Sequence, residues 1–188
     1  MKYRAVVIGV SAGGMAALQA IVSELRADFP LPVIVVQHRS ADADDFLSGF
    51  LDERAKVRVK EAEEKEKLAA GVVYVAPANY HLLVEEDQTL SMTVGEKVNF
   101  ARPSIDVLFE TAADVFSAGL IGIILTGAGT DGSKGMKSIK ESGGLTIVQD
   151  PGTAESDAMP KAAIAITVID HILPLPEIGP FLNLITSG

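Results

Sequence analysis

The sequence predicts an α/β fold: a doubly wound, mostly parallel sheet with helices on both faces and an added antiparallel hairpin. Three observations lead there. Runs such as "AVVIG", "PVIVVQ", "LIGIILTG" and "LTIVQ" are apolar almost throughout, the pattern of strands covered on both faces. Between them lie stretches whose apolar residues recur with helical spacing, and alternation of the two kinds of segment favours a parallel sheet. One segment, "HLLVEEDQTLSMTV", instead alternates on either side of "EDQ", as two antiparallel strands joined by a turn do.

In chain order, "AVVIG" is a strand and "MAALQAIVSEL" a helix. "PVIVVQ" is the second strand, and "DADDFLSGFLDERA" is a helix whose Asp-rich start suits a helix N-terminus. "VRVK" and "VVYVAP" are short strands ahead of the hairpin. "SIDVLFETAADVF" is a helix opening with Ser104, and "LIGIILTG" is a buried strand after it. "DGSKGMKSIKESGG" is a helix ended by glycine, and "LTIVQ" is another buried strand. The tail holds a short helix near residues 158–165, a strand near residues 166–173 and a proline-rich closing segment. No linker, repeat or low-complexity tract interrupts the pattern, so residues 1–188 are expected to form one domain.

Composition narrows the function. There is no cysteine, which excludes disulfides, thiol nucleophiles and cysteine zinc sites. The net charge is −9 and no Lys/Arg cluster occurs, which argues against a nucleic-acid partner. The densest charge run, "KEAEEKEK", mixes signs and reads as a solvated face, with a docking surface as the alternative. Lys2 and Arg4 precede an apolar run, residues 5–10, too short for a secretory core or a membrane span. A cytoplasmic protein without membrane insertion is expected.

The glycine-rich turn "VIGVSAGGMAA" fits three templates unequally. Against the dinucleotide fingerprint, Ser11 stands where the glycine that admits a pyrophosphate belongs. Against the P-loop, Met15 and Ala16 replace the lysine and the metal-binding hydroxyl. Gly9-Val10-Ser11-Ala12-Gly13 does satisfy G-x-S-x-G, in which a serine is presented on a tight strand-to-helix turn beside outward N–H groups. A nucleophilic serine needs a base, and "VIVVQHRS" puts His38 just past the second strand, at the same sheet edge. "IILTGAGTDGSKG" puts Asp131 at that edge too, as an orienting acid or, alternatively, as a cap of the following helix. We read the three as a Ser–His–Asp triad. Its chain order differs from that of α/β-hydrolases, which place the acid before the histidine. His81, opening the hairpin, is the reserve base or a turn cap, and His171 in the tail strand is structural.

Together "IGVSAGG", "VVQH", "YVAPANYHLLV", "RPSIDVLFETAA" and "LTGAGTDGSKGM" resemble the catalytic domain of the chemotaxis receptor methylesterase family, CheB. The resemblance covers nearly the whole chain. It implies a doubly wound domain that hydrolyses glutamyl methyl esters, and often deamidates glutamines, on the cytoplasmic domains of methyl-accepting chemoreceptors. Carried over, Ser11 is the nucleophile, His38 the base and Asp131 its orienter, with oxyanion donors at the Ala12 and Ala128 backbone N–H groups. Neither a metal nor an organic cofactor is needed. Ala12 stands where many members have a hydroxyl residue, and Ala128 where methionine is common; both keep a backbone donor while reshaping the pocket. A typical member also carries an N-terminal receiver domain, which points here to an excised or stand-alone domain, or to a separate receiver or regulatory partner. The rival readings are a non-catalytic nucleotide- or anion-binding module and a scaffold that kept the fold.

Overall fold

The computed structural model describes residues 2–40 and 46–187. The elements are β1 (Ala5–Val10), α1 (Gly14–Val22), β2 (Val33–Gln37), α2 (Phe46–Asp52), β3 (Arg58–Glu61), β4 (Val72–Val75), β5 (His81–Val84), β6 (Leu90–Thr93), α3 (Ile105–Phe116), β7 (Leu120–Ile124), α4 (Ser133–Glu141), β8 (Leu145–Gln149), α5 (Ala158–Ile166), β9 (His171–Leu173) and α6 (Leu175–Ile185). The Asp-rich opening expected for α2, residues 42–45, lies outside the described residues.

Seven strands form one sheet in the order β3-β4-β2-β1-β7-β8-β9, and every pairing in it is parallel. The β5–β6 pair is antiparallel and separate, as its alternating sequence predicts. From β1 the chain builds outward through β2 to one side, then crosses to β7 on the other. The carboxyl ends of β2, β1 and β7 therefore meet at the point where the winding direction changes, where open α/β sheets form their crevices.

Burial explains the apolar strands. All six residues of β1 are buried, and they alternate between two cores. Val6, Ile8 and Val10 pack with α1, α2 and α6 through residues such as Leu18, Leu51 and Leu182. Ala5 and Val7 face the opposite core with Phe109 of α3, Ile139 of α4 and Leu82 of the hairpin. Gly9 is small for a reason: a Cβ there would lie 2.4 Å from Ile105 Cγ2. The start of α3 is thus pressed against the end of β1, which brings its N-terminus to the crevice.

The tail departs from expectation in two ways. The strand near residues 166–173 is only His171–Leu173, because Ile166 still belongs to α5. Ahead of β9, side chains take over from the ladder: Asp170 accepts from the Thr146 N–H at 3.0 Å and hydroxyl at 2.9 Å, and its own N–H donates to Thr146 Oγ1. The proline-rich closing segment is in fact the helix α6. Pro174 is its N-cap and Pro176 lies in the first turn, where no intrahelical donor is required. Pro180 lies inside it, and burial of Ile178 and Leu182 in the core shared with α1 offsets the lost bond. His171 packs against Phe181 of α6, the rings tilted by 56° with centroids 4.6 Å apart, a structural role. Among the described residues no helix is long and apolar enough to cross a membrane.

Candidate active site

Strand register sets the geometry. Val10 pairs with Gln37, so the next residues, Ser11 and His38, leave adjacent strand ends side by side. The His38 N–H donates to the Val10 carbonyl at 3.0 Å, and the Ser11 N–H to the Thr126 carbonyl beyond β7, also at 3.0 Å. Gly13 then turns the chain with φ 75°, and α1 begins. The backbone at Gly127 lies so close that a Cβ there would be 2.8 Å from Ser11 Cβ. Ser11 is therefore seated between two strand ends, and its hydroxyl has no hydrogen-bond partner among the described residues. The Ala12 and Ala128 backbone N–H groups donate to no protein group among the described residues, and both residues are exposed.

Asp131 is 3% exposed and accepts five hydrogen bonds. Its Oδ2 accepts from His38 Nε2 at 2.7 Å and from the Ile105 N–H at 2.7 Å. Its Oδ1 accepts from Asn99 Nδ2 at 2.8 Å, the Ser104 hydroxyl at 2.8 Å and the Asp106 N–H at 3.2 Å. Burial pushes this carboxyl up, yet the bonds from His38, Asn99, Ile105 and Ser104 outweigh it and hold the group below the ordinary carboxylate range. An ionised carboxylate only accepts, so His38 Nε2 carries the proton and Nδ1 keeps its basic lone pair. The acid holds Nε2, whereas in the serine-protease template it holds Nδ1.

Asp131 does cap a helix, but a different one from the helix it precedes. Gly132, at φ 93°, takes the N-cap position of α4. Asp131 instead accepts the first N–H groups of α3, whose N-cap, Ser104, turns its own hydroxyl onto Asp131. Asp106 returns the favour across the same junction: its Oδ1 accepts the Gly135 N–H of α4 at 2.7 Å, and its Oδ2 the Asn99 amide at 2.7 Å. Burial pushes the Asp106 carboxyl above its ordinary value, and the neighbouring Asp131 charge adds to this.

His81, the reserve base, is 2% exposed. Its Nδ1 accepts the Ser104 N–H at 3.1 Å, so its Nε2 carries a proton, donated to the Glu96 carbonyl at 2.8 Å. Both nitrogens are committed, which makes it a cap for α3. A pocket of about 260 Å³ opens over His38 and Asp131, with Ala128, Asn99, Phe100 and Arg102 among its walls. Ser11 and Ala12 line a neighbouring depression with Gln37 and Glu155.

Sequence reasoning missed Asn99, Asp106 and the bond from Ser104. Asp106 left a signal: it shares a helical stripe with Phe109 and Ala113, so a carboxylate sits on an apolar face. Asn99 left almost none.

Comparison with known proteins gives a consistent picture. The family model described as CheB methylesterase matches residues 6–182. A relative from Leptospira interrogans is 53% identical over 179 residues, which are 95% of this chain and 93% of the relative. A protein-glutamate methylesterase/protein-glutamine glutaminase from Archaeoglobus fulgidus is 43% identical over 177 residues, 93% of this chain; the chain spans 51% of that relative's length. The crystal structure of the Thermotoga maritima CheB methylesterase catalytic domain is similar with a TM-score of 0.93 at 34% identity, covering 98% of this chain and 100% of that one.

Proposed function

This chain belongs to the CheB methylesterase family, and on that premise we propose that it is a serine hydrolase that removes methyl esters from glutamyl residues on the cytoplasmic helices of methyl-accepting chemoreceptors, with Ser11, His38 and Asp131 as its catalytic residues. The observation that carries this reading is the 2.7 Å bond from His38 Nε2 to a buried, ionised Asp131, which leaves Nδ1 basic at the strand end beside Ser11.

In this mechanism His38 Nδ1 takes the Ser11 proton as Oγ attacks the ester carbonyl; the Ser11–His38 bond closes when substrate is bound, as catalytic bonds commonly do. The Ala12 and Ala128 N–H groups hold the developing oxyanion, each donor contributing about 3–4 kcal/mol. His38 returns the proton to the departing methoxide, methanol leaves, and water hydrolyses the acyl-enzyme to free glutamate. Attack on a glutaminyl side chain follows the same course with ammonia as leaving group, giving the deamidase activity named for the Archaeoglobus relative. Asp131 fixes the tautomer of His38 and stabilises its protonated form. The test is methanol release from a methylated receptor fragment; a wild-type protein that releases none under conditions where it is folded sinks the reading.

A net charge of −9 gives no attraction to a glutamate-rich helix, so recognition rests on shape and apolar contact. Phe100, at the pocket rim, is 98% exposed and held at φ 64°, a strained conformation for a bulky residue with no packing to reward it. Phe100→Ala is expected to raise KM for a receptor fragment about tenfold, as loss of an aromatic anchor does, with kcat little changed. Gly127→Ala acts on the nucleophile. Its methyl group would meet Met159 Sδ, which can swing aside, and Ser11 Cβ, which cannot. Displacement of Ser11 by about 1 Å is expected to lower kcat roughly 100-fold, measured by methanol release at saturating substrate.

A further inference from the structure

We propose that Asn99 is a positioning residue for this reaction: its single amide NH₂ group, shared between the carboxylates of Asp131 and Asp106, holds Asp131 ionised and aimed at His38. The proposal rests on the functional reading above.

Residues 98–101 make a tight turn in which the Val98 and Ala101 backbones exchange both hydrogen bonds, at 3.1 and 2.9 Å. Asn99 and Phe100 occupy its two central positions with φ 50° and 64°. Two positive φ values in a two-residue turn are the type I′ geometry, in which asparagine is favoured at the first position. The turn splits its two side chains, leaving Phe100 in solvent while the Asn99 amide reaches inward. One Nδ2 hydrogen goes to Asp106 Oδ2 at 2.7 Å and the other to Asp131 Oδ1 at 2.8 Å. Both carboxyl groups are 3% exposed, and the Asp131 charge disfavours ionisation of Asp106.

The chemistry of the bridge matters. A lysine or arginine here would satisfy both carboxylates but would compete with His38 for the Asp131 charge. An amide supplies two donors and no charge, so the anion stays available to the imidazolium that forms during turnover. The charged groups around Asp131 are His38 after β2, Asp106 and Glu110 on α3, and Lys134 on α4, with Arg39, Lys97 and Arg102 on the pocket wall. Among the described residues only Asn99 donates to both Asp131 and Asp106 from a side chain. Asn99 itself is exposed, so its replacement opens no cavity in the core.

Asn99→Gly separates the side chain from the turn, because glycine adopts the positive φ freely. We expect kcat for methyl-ester hydrolysis to fall about 10–100-fold, the scale of one lost hydrogen bond to a charged group, with KM within about twofold of the wild type's. Carboxyl ¹³C NMR of Asp131 provides a readout independent of activity. Its titration midpoint is expected to rise by about one pH unit in the variant, since a bond that favours the ionised form is gone. Asn99→Asp, which keeps the shape but replaces the donors with a third carboxylate, is expected to raise it further. An Asp131 midpoint and kcat that both stay at wild-type values in Asn99→Gly overturn the proposal and reduce Asn99 to a turn residue. A wild-type protein that releases no methanol overturns the functional reading instead, and the NMR comparison then decides by itself whether Asn99 governs Asp131.

Discussion

Ser11→Ala is expected to abolish methanol release while leaving the fold intact. The first half follows from the role proposed for Ser11: loss of the attacking serine in a serine protease costs about 10⁶-fold in kcat, and the proposed oxyanion donors at Ala12 and Ala128 have nothing to stabilise without an attacking Oγ. The second half follows from the local structure. Ser11 is held by its backbone, through the N–H bond to Thr126 and the Ser11 carbonyl that accepts from the Gly14 N–H at 2.9 Å. Its hydroxyl is bonded to nothing among the described residues, so removing it orphans no partner. The unfolding free energy should change by no more than about 0.5 kcal/mol, the range of substitutions that disturb no buried contact. Urea denaturation and methanol release on the same preparation check both halves, and turnover retained in the variant would assign the nucleophile elsewhere.

Much of this fold was legible because its central strands are buried on both faces. β1, β2, β7 and β8 are read from unbroken apolar runs, and the hairpin from its alternation. The failures fall where local rules and tertiary context disagree. Pro174, Pro176 and Pro180 argue locally against a helix at 175–185, but two of them stand where no donor is needed, and the third is outweighed by burial of Ile178 and Leu182. The strand expected from residue 166 is short because Asp170 and Thr146 satisfy one another through side chains, which periodicity cannot register.

The candidate site was legible to the extent that it lies on strand ends. Ser11, His38 and Asp131 each follow an apolar run, and a parallel sheet brings such positions to one edge. What supports them was not legible. The alternative reading of Asp131, as a cap of its own following helix, gives way to a bond set to α3, across 25 to 26 residues of sequence. Nothing in "TDGSKGM" or "RPSIDVLF" taken alone says that the two segments cap one another's helices. The pairing arises because Gly9 lets Ile105 approach β1, which sets the α3 N-terminus beside the end of β7.

That cross-capping gives Asp131→Asn a double effect, the largest expected after Ser11→Ala. The amide has one oxygen and one NH₂ group where the carboxylate had two acceptors. With its nitrogen at the Oδ2 position it confronts the Ile105 N–H and forces His38 to donate from Nδ1 to another group or invert, removing the basic lone pair beside Ser11. With its nitrogen at Oδ1 it confronts the Asp106 N–H and the Asn99 amide. Either way a buried donor loses its acceptor, which costs about 1–3 kcal/mol. Activity should fall about 10⁴-fold, as the equivalent change does in a serine protease. The stability loss carries a pH signature with a definite sign. The Asp131 carboxyl is held below its ordinary value, so its ionised bonds contribute fully above the unfolded value of about 3.9 and fade as pH falls through the lower folded one. The gap in unfolding free energy between wild type and Asp131→Asn is therefore expected to be widest near neutral pH and to narrow on acidification below about pH 4. Denaturant unfolding at several pH values measures it, beside methanol release at pH 7. A variant that loses stability in this way yet keeps its turnover would make Asp131 a helix cap and nothing more, whereas loss of both is what a residue serving α3 and His38 at once must give.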